Sequence, residues 1–156
     1  MGKRFGPLHA TEQGVRIGDP TRRHLLLAED GIHHVDGEKR LATFAWEHVE
    51  NVRLGYSTTW FPWPGAVAGV LWAAAVALAQ DDLGVTVDDG KAEVATRDGV
   101  EVVDVSRHHL GPYWKSAVAR TEMLFEWLAA KPERRTLLSA PDELVRRAAR
   151  RQARIA

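Results

Sequence analysis

The side chains with the most obvious chemistry are two histidine pairs, His33-His34 and His108-His109, and two acidic pairs, Asp81-Asp82 and Asp88-Asp89. Imidazoles can ligate a metal or move a proton near neutral pH, and paired carboxylates can share acid and base roles. The spacing argues against both uses. Neighbours on a strand point to opposite faces, so neither histidine pair offers two nitrogens to one ion, and no His-x-His or His-Glu-x-x-His arrangement occurs. The acidic pairs fall in loop or turn sequence. There is no Gly-x-Ser-x-Gly elbow, phosphate loop or dinucleotide fingerprint, and the absence of cysteine removes thiolate nucleophiles and thiolate zinc sites. The histidines are therefore expected at the surface or in turns, with no cofactor and no enzymatic role. An enzyme assembled from distant residues is the alternative that sequence cannot display.

The elements that would position such residues follow from periodicity. Leu25–Leu27, Ile32–Val35, Leu41–Phe44 and Val52–Tyr56 read as short strands, with Asp30-Gly31 and Asp36-Gly37 supplying the positive φ of tight turns. After residue 84, Val85 and Val87, then Ala92, Val94 and Thr96, then Val100 and Val102 alternate as a three-stranded meander. A change of phase at Val103 and Val105 predicts a bulge. From Pro112 to Ala130 the period becomes 3.6, placing Trp114, Ala117, Val118, Thr121, Phe125 and Leu128 on one helical stripe that Lys131-Pro132 ends. A last helix is expected from about Pro141 to Arg154, with Ser139 as its N-cap.

Between the strand groups lies an anomaly. Although 27% of the chain is charged, the 27 residues from Leu54 to Gln80 carry no charge at all, and they include Trp60, Phe61, Pro62, Trp63, Pro64 and Trp72. Gly65, Gly69, Ala73 and Ala77 form a small-residue stripe that would let another backbone approach. Three readings fit. From Pro64 to Ala79 a helix would reach about 24 Å, short of the roughly 30 Å hydrocarbon core, so a full span fits poorly. An inserted Ala-rich helix packed on the body, or paired with its copy in a homodimer, is the second reading. The third is shallow membrane docking by Trp60, Phe61, Trp63 and Trp72, since an indole at the headgroup layer keeps its N–H wet and its ring dry.

The net charge of zero conceals a division of +3 over residues 1–23, −8 over 24–130 and +5 over 131–156. Basic ends on an acidic body attract anionic surfaces. In the last helix Arg146, Arg147, Arg150, Arg151 and Arg154 occupy one side and Leu144, Val145, Ala148, Ala149 and Ile155 the other, the pattern of a membrane-surface helix or of a solvated face on a docked one. Nucleic acid is a poor partner, because the basic residues lack interleaved aromatics. The absence of cysteine suits a reducing cytoplasm, with peripheral attachment to the inner membrane face as the expected resting place.

Leu25-Leu26-Leu27, Glu29-Asp30-Gly31-Ile32 and Phe44-Ala45-Trp46-Glu47-His48-Val49 resemble the strand, turn, strand, then Trp-x-x-Val pattern of bacterial pleckstrin-homology-like (PH-like) domains. Val102-Val103-Asp104-Val105-Ser106 leading to the Pro112 helix is similar to the last strand and C-terminal helix of that fold. The resemblance implies an α+β architecture, a bent antiparallel barrel of about seven strands capped by an amphipathic helix. It divides the chain into a basic N-terminal segment (1–23), a PH-like domain (24–130) with an uncharged insertion (58–80), and a basic C-terminal helix or tail (131–156). It also implies that Trp46 is structural. The phosphoinositide ligand of some relatives is not carried over, because their basic first loop is here Ala28-Glu29-Asp30-Gly31, and an acidic loop repels phosphate. What remains is a scaffold or interaction module whose partner is an anionic membrane surface or a protein.

Overall fold

Alternating apolar residues and tight turns organise the first half of the chain. The computed structural model describes residues 2–56, 58–59, 90–108 and 113–150. Strands β1 (Arg4–Phe5), β2 (Leu8–Thr11), β3 (Gly14–Gly18), β4 (Arg23–Leu27), β5 (Gly31–Asp36) and β6 (Lys39–Ala45) pair in chain order into one antiparallel six-stranded sheet. Its register lines up two apolar rows on one face: Leu8, Ile17, Leu25, His34 and Ala42, then Ala10, Val15, Leu27, Ile32 and Phe44. Of the two turn glycines, Gly37 has the positive φ (59°), whereas Gly31 answers to close packing, since a Cβ there would lie 2.5 Å from the Phe44 carbonyl oxygen.

The second sheet has the order β10-β9-β7, from β7 (Val49–Gly55), β9 (Gly90–Thr96) and β10 (Gly99–Val105), again antiparallel. A short parallel pair joins β8 (Thr58–Thr59) to β11 (Tyr113–Trp114). Helix α1 (Lys115–Ala130) packs on β7, a 3-10 segment follows from Pro132 to Ser139, and α2 (Pro141–Arg150) lies against β1, β2 and β3. The protein is α+β.

Several expectations are corrected. The strands described here form two separate sheets and do not close into a barrel, because the Val52 strand leaves its predecessors to pair with β9. Residues 4–18, where no strand was expected, provide β1–β3 and the core residues Leu8, Ala10, Val15 and Ile17. The β9–β10 register is continuous, so there is no bulge at Val103. The phase change arises because Val100 and Val102 point to the open face, 64% and 57% exposed, while Val103 and Val105 are buried. Trp114 belongs to β11 and is half-buried, and α1 begins after it, at Lys115. Ser139 does not cap α2: its hydroxyl donates to the Thr136 carbonyl, and the Ala140 carbonyl accepts the first helical bond, from Leu144. Val85, Val87 and Pro112 lie outside the described residues.

Helix α1 buries Ala117, Val118, Thr121, Leu124, Phe125 and Leu128. Its orphan C-terminal carbonyls are met by arginines, with Arg134 donating to Trp127 and Arg135 donating to Leu128 and Ala129. Arg135 also pairs with Glu47 at 2.7 Å, and its guanidinium lies 5.7 Å from the ring centre of Trp46. Trp46 is 1% exposed, with its Nε1–H donated to the Ala28 carbonyl at 2.8 Å, so it is a core residue fastening two turns, as the resemblance implied.

Truncating Phe125 to alanine should destabilise the fold by about 3 to 5 kcal/mol through the cavity left under α1. Arg135→Ala should cost about 2 to 3 kcal/mol, since it strands helix carbonyls in a largely buried site. Glu47→Gln should cost less than Arg135→Ala, because the Glu47 carboxylate is mostly exposed. Urea denaturation of the three variants checks the order, and a Glu47→Gln loss equal to that of Arg135→Ala would contradict it.

Candidate functional site

The two strands that flank the uncharged stretch, β7 and β9, are neighbours. Gly55, where β7 ends, is paired with Lys91 at the start of β9, so the ends of the 56–89 connection are neighbours on one antiparallel ladder. Tyr56 packs there edge-to-face on Tyr113, with ring centres 4.8 Å apart at 70°. Gly90 makes this possible, since a Cβ on it would lie 2.1 Å from the Tyr56 ring. The Tyr113 hydroxyl is 2.9 Å from His108 Nδ1, and burial pushes the phenol up to about 12, so it stays protonated at neutral pH. That makes it a hydrogen-bonded structural group and a poor base.

The pairing of Thr59 with Trp114 holds the start of the stretch against the start of α1. One turn into α1, Arg120 stacks over the rings of Trp114 (5.7 Å) and Phe5 (5.6 Å) and donates to the Ala149 carbonyl in the last turn of α2 (3.2 Å). Thus the last described residue before Trp60 and the last turn before the arginine tail are linked through a single guanidinium.

Of the residues singled out by sequence, Trp60, Phe61, Trp63, Trp72, Arg151 and Arg154 lie outside the described residues, as does the small-residue stripe 65–79. Arg146, Arg147 and Arg150 are on α2. Arg146 and Arg147 both pair with Glu143, and Arg147 chiefly holds that carboxyl below its usual range. Their charge is partly spent within the helix, and Arg150 is exposed at its end. The apolar side, Leu144 and Val145, is buried against the N-terminal strands, where Asp142 accepts the Lys3 backbone N–H. This helix therefore docks on the basic N-terminal strands.

His33 and His34 are not at the surface, whereas His48 is exposed in the β6–β7 turn. His9, His24, His33 and His34 are all buried, on β2, β4 and β5. His33 bridges Thr43 and Asp30 at 3.0 Å each, and His34 Nε2–H donates to the Asp104 carbonyl at 2.9 Å. His9 stands between Arg4 and Arg16 in one cross-strand row; burial first, then those two guanidinium groups, lower its pKa. Nothing in a single strand's sequence announces this, because a histidine is buried or exposed according to what covers its face. Among the described residues no three His, Asp or Glu side chains come together as a metal site, and no helix is long and apolar enough to cross a membrane.

Comparison with known proteins brings no relative: no family model, no curated protein and no solved structure matches the chain. As a check on the root of the 56–89 connection, Gly90→Ala should displace the Tyr56 ring and destabilise the fold by about 1 to 3 kcal/mol in thermal or urea melts. An unchanged melt would show that this contact is not required.

Proposed function

We propose that the chain is a non-enzymatic, PH-like interaction module that rests peripherally on the anionic cytoplasmic face of a membrane. The observation that carries the reading is the position of Arg120, which ties Trp114, the partner of Thr59, to Ala149. Through it the aromatic stretch beginning at Trp60 and the tail beginning at Arg150 start from the same end of the body. Two weak attachments reinforce each other only when they can engage one surface together. Aromatic insertion would supply the apolar contact, and each basic residue near an anionic leaflet about 1 kcal/mol.

The fold reading is supported by strand order: within 24–130, β4–β6 in one sheet, then β7, β9 and β10 in the other, give six antiparallel strands among the described residues, followed by one amphipathic helix, α1. In this reading β1–β3 are additions that extend the first sheet and α2 is an addition that packs on them, and the uncharged stretch is an insertion between two paired strands. The acidic β4–β5 turn, closed by reciprocal Ala28 and Gly31 backbone bonds, leaves no basic first loop for a phosphoinositide.

Vesicle sedimentation tests the reading. The protein should pellet with anionic vesicles at low salt and less so as salt rises, because screening removes the tail's share. Trp60→Ser combined with Trp63→Ser, or Arg150→Gln combined with Arg151→Gln and Arg154→Gln, should each weaken binding strongly. If wild type remains in the supernatant with every lipid composition while light scattering reports a dimer, pairing through residues 65–79 replaces the membrane reading.

A further inference from the structure

The two sheets meet at Ser106. Its N–H donates to the Arg23 carbonyl at 2.7 Å, and its own carbonyl accepts from the Asp19 N–H at 2.8 Å, so the 19–23 segment grips it on both sides. Ser106 directly follows β10 and opens the stretch that leads through Arg107 and His108 to β11, the partner of β8 at the base of the aromatic connection. Whatever holds the 19–23 segment therefore holds β11's approach.

His24 does that. Its ring is fully buried, and Nδ1–H donates to the Arg22 carbonyl at 2.9 Å, which also accepts the Gly37 N–H. The opposite nitrogen, Nε2, is buried without a hydrogen-bond partner among the described residues. We propose that His24 is an acid-operated latch: protonation at Nε2 places a buried N–H where no described residue offers an acceptor, the ring turns toward water, and the 19–23 segment releases Ser106 and loosens the route to β11.

The groups around the ring set the direction. Burial disfavours the imidazolium most, the bond to the Arg22 carbonyl favours it, Arg16 on β3 opposes it, Asp19 in the preceding turn supports it, and His34 on β5 opposes it. The net result is a pKa below 6.5 in the closed state. A depressed imidazole contributes nothing above the open-state value, where both states are neutral. As pH falls through that value the open state takes up the proton first, and closure weakens until the closed-state pKa is passed. Beside the latch, Arg23 pairs across the seam with Asp104 (2.8 Å) and Asp36 (3.5 Å). The latch does not depend on membrane binding, but it would make the presentation of the aromatic stretch sensitive to acid.

Amide hydrogen exchange read by NMR on the full chain, with His24 titrated in the same sample, tests the latch. Between pH 7.5 and 5.5, after correction for intrinsic rates, exchange at Asp19, Gly37 and Ser106 should quicken by up to roughly tenfold per pH unit within the window. The Val94 and Leu54 amides of the second sheet should keep their protection. In His24→Gln, which keeps a donor but cannot take a proton, those three amides should stay protected at pH 5.5. Should that variant fail to fold, the wild-type comparison suffices, since the onset of opening must coincide with titration of His24. Unchanged exchange at Ser106 and Asp19, equal acceleration of all core amides, or opening while His24 stays neutral would overturn the latch.

Discussion

A nearly buried guanidinium, that of Arg135, joins three parts of the molecule. It takes carbonyls at the end of α1, lies against the ring of Trp46 in the β6–β7 turn, and reaches the exposed carboxylate of Glu47. Trp46 in turn fastens the β4–β5 turn through Ala28. Such a charge is tolerated in a core only if its donors are occupied, and here helix carbonyls and a carboxylate occupy them. Because α1 lies on β7 while Trp46 follows β6, this junction fixes the helix with respect to both sheets.

The opposite end of α1 is organised by the same kind of contact. Arg120 bonds a terminal carbonyl of α2 and lies over Phe5 and Trp114, so chain segments from β1, β11 and α2 converge on one planar cation. Arginine suits both junctions because a planar fork can stack on an aromatic ring and still donate in its plane. The helix is thus held at each end by guanidinium groups and along its length by apolar packing.

Between the sheets the joint is polar. Arg23, Asp36, Asp104, His34 and the backbone of Ser106 make it, and it closes one corner of the two-sheet body without continuous strand pairing. A polar joint of this kind responds to protons and salt in a way that the apolar rows of the six-stranded sheet do not, since burial of hydrocarbon is indifferent to both. The buried histidines concentrate in the six-stranded sheet, on strands whose faces are closed by neighbouring loops and strands.

How much of this was legible depends on the range of the interaction that decides each feature. The strands around Leu25, Ile32, Phe44, Val52, Val94 and Val105 and the helix carrying Val118, Phe125 and Leu128 follow from periodicity and turn residues close in sequence, so the chain by itself determined them, whereas the structural role of Trp46 was an implication of the family resemblance. The strands at Leu8–Thr11 and Gly14–Gly18 escaped because four or five residues with a histidine or arginine at alternate positions give too short a signal; they become core only when β4 pairs beside them and α2 covers them. Barrel closure, the docking of α2, the burial of His9, His24, His33 and His34, and the roles of Arg120 and Arg135 were decided by tertiary structure. Each depends on which surface lies opposite, and contacts between residues 18, 29 or 88 positions apart leave no periodic trace in the sequence.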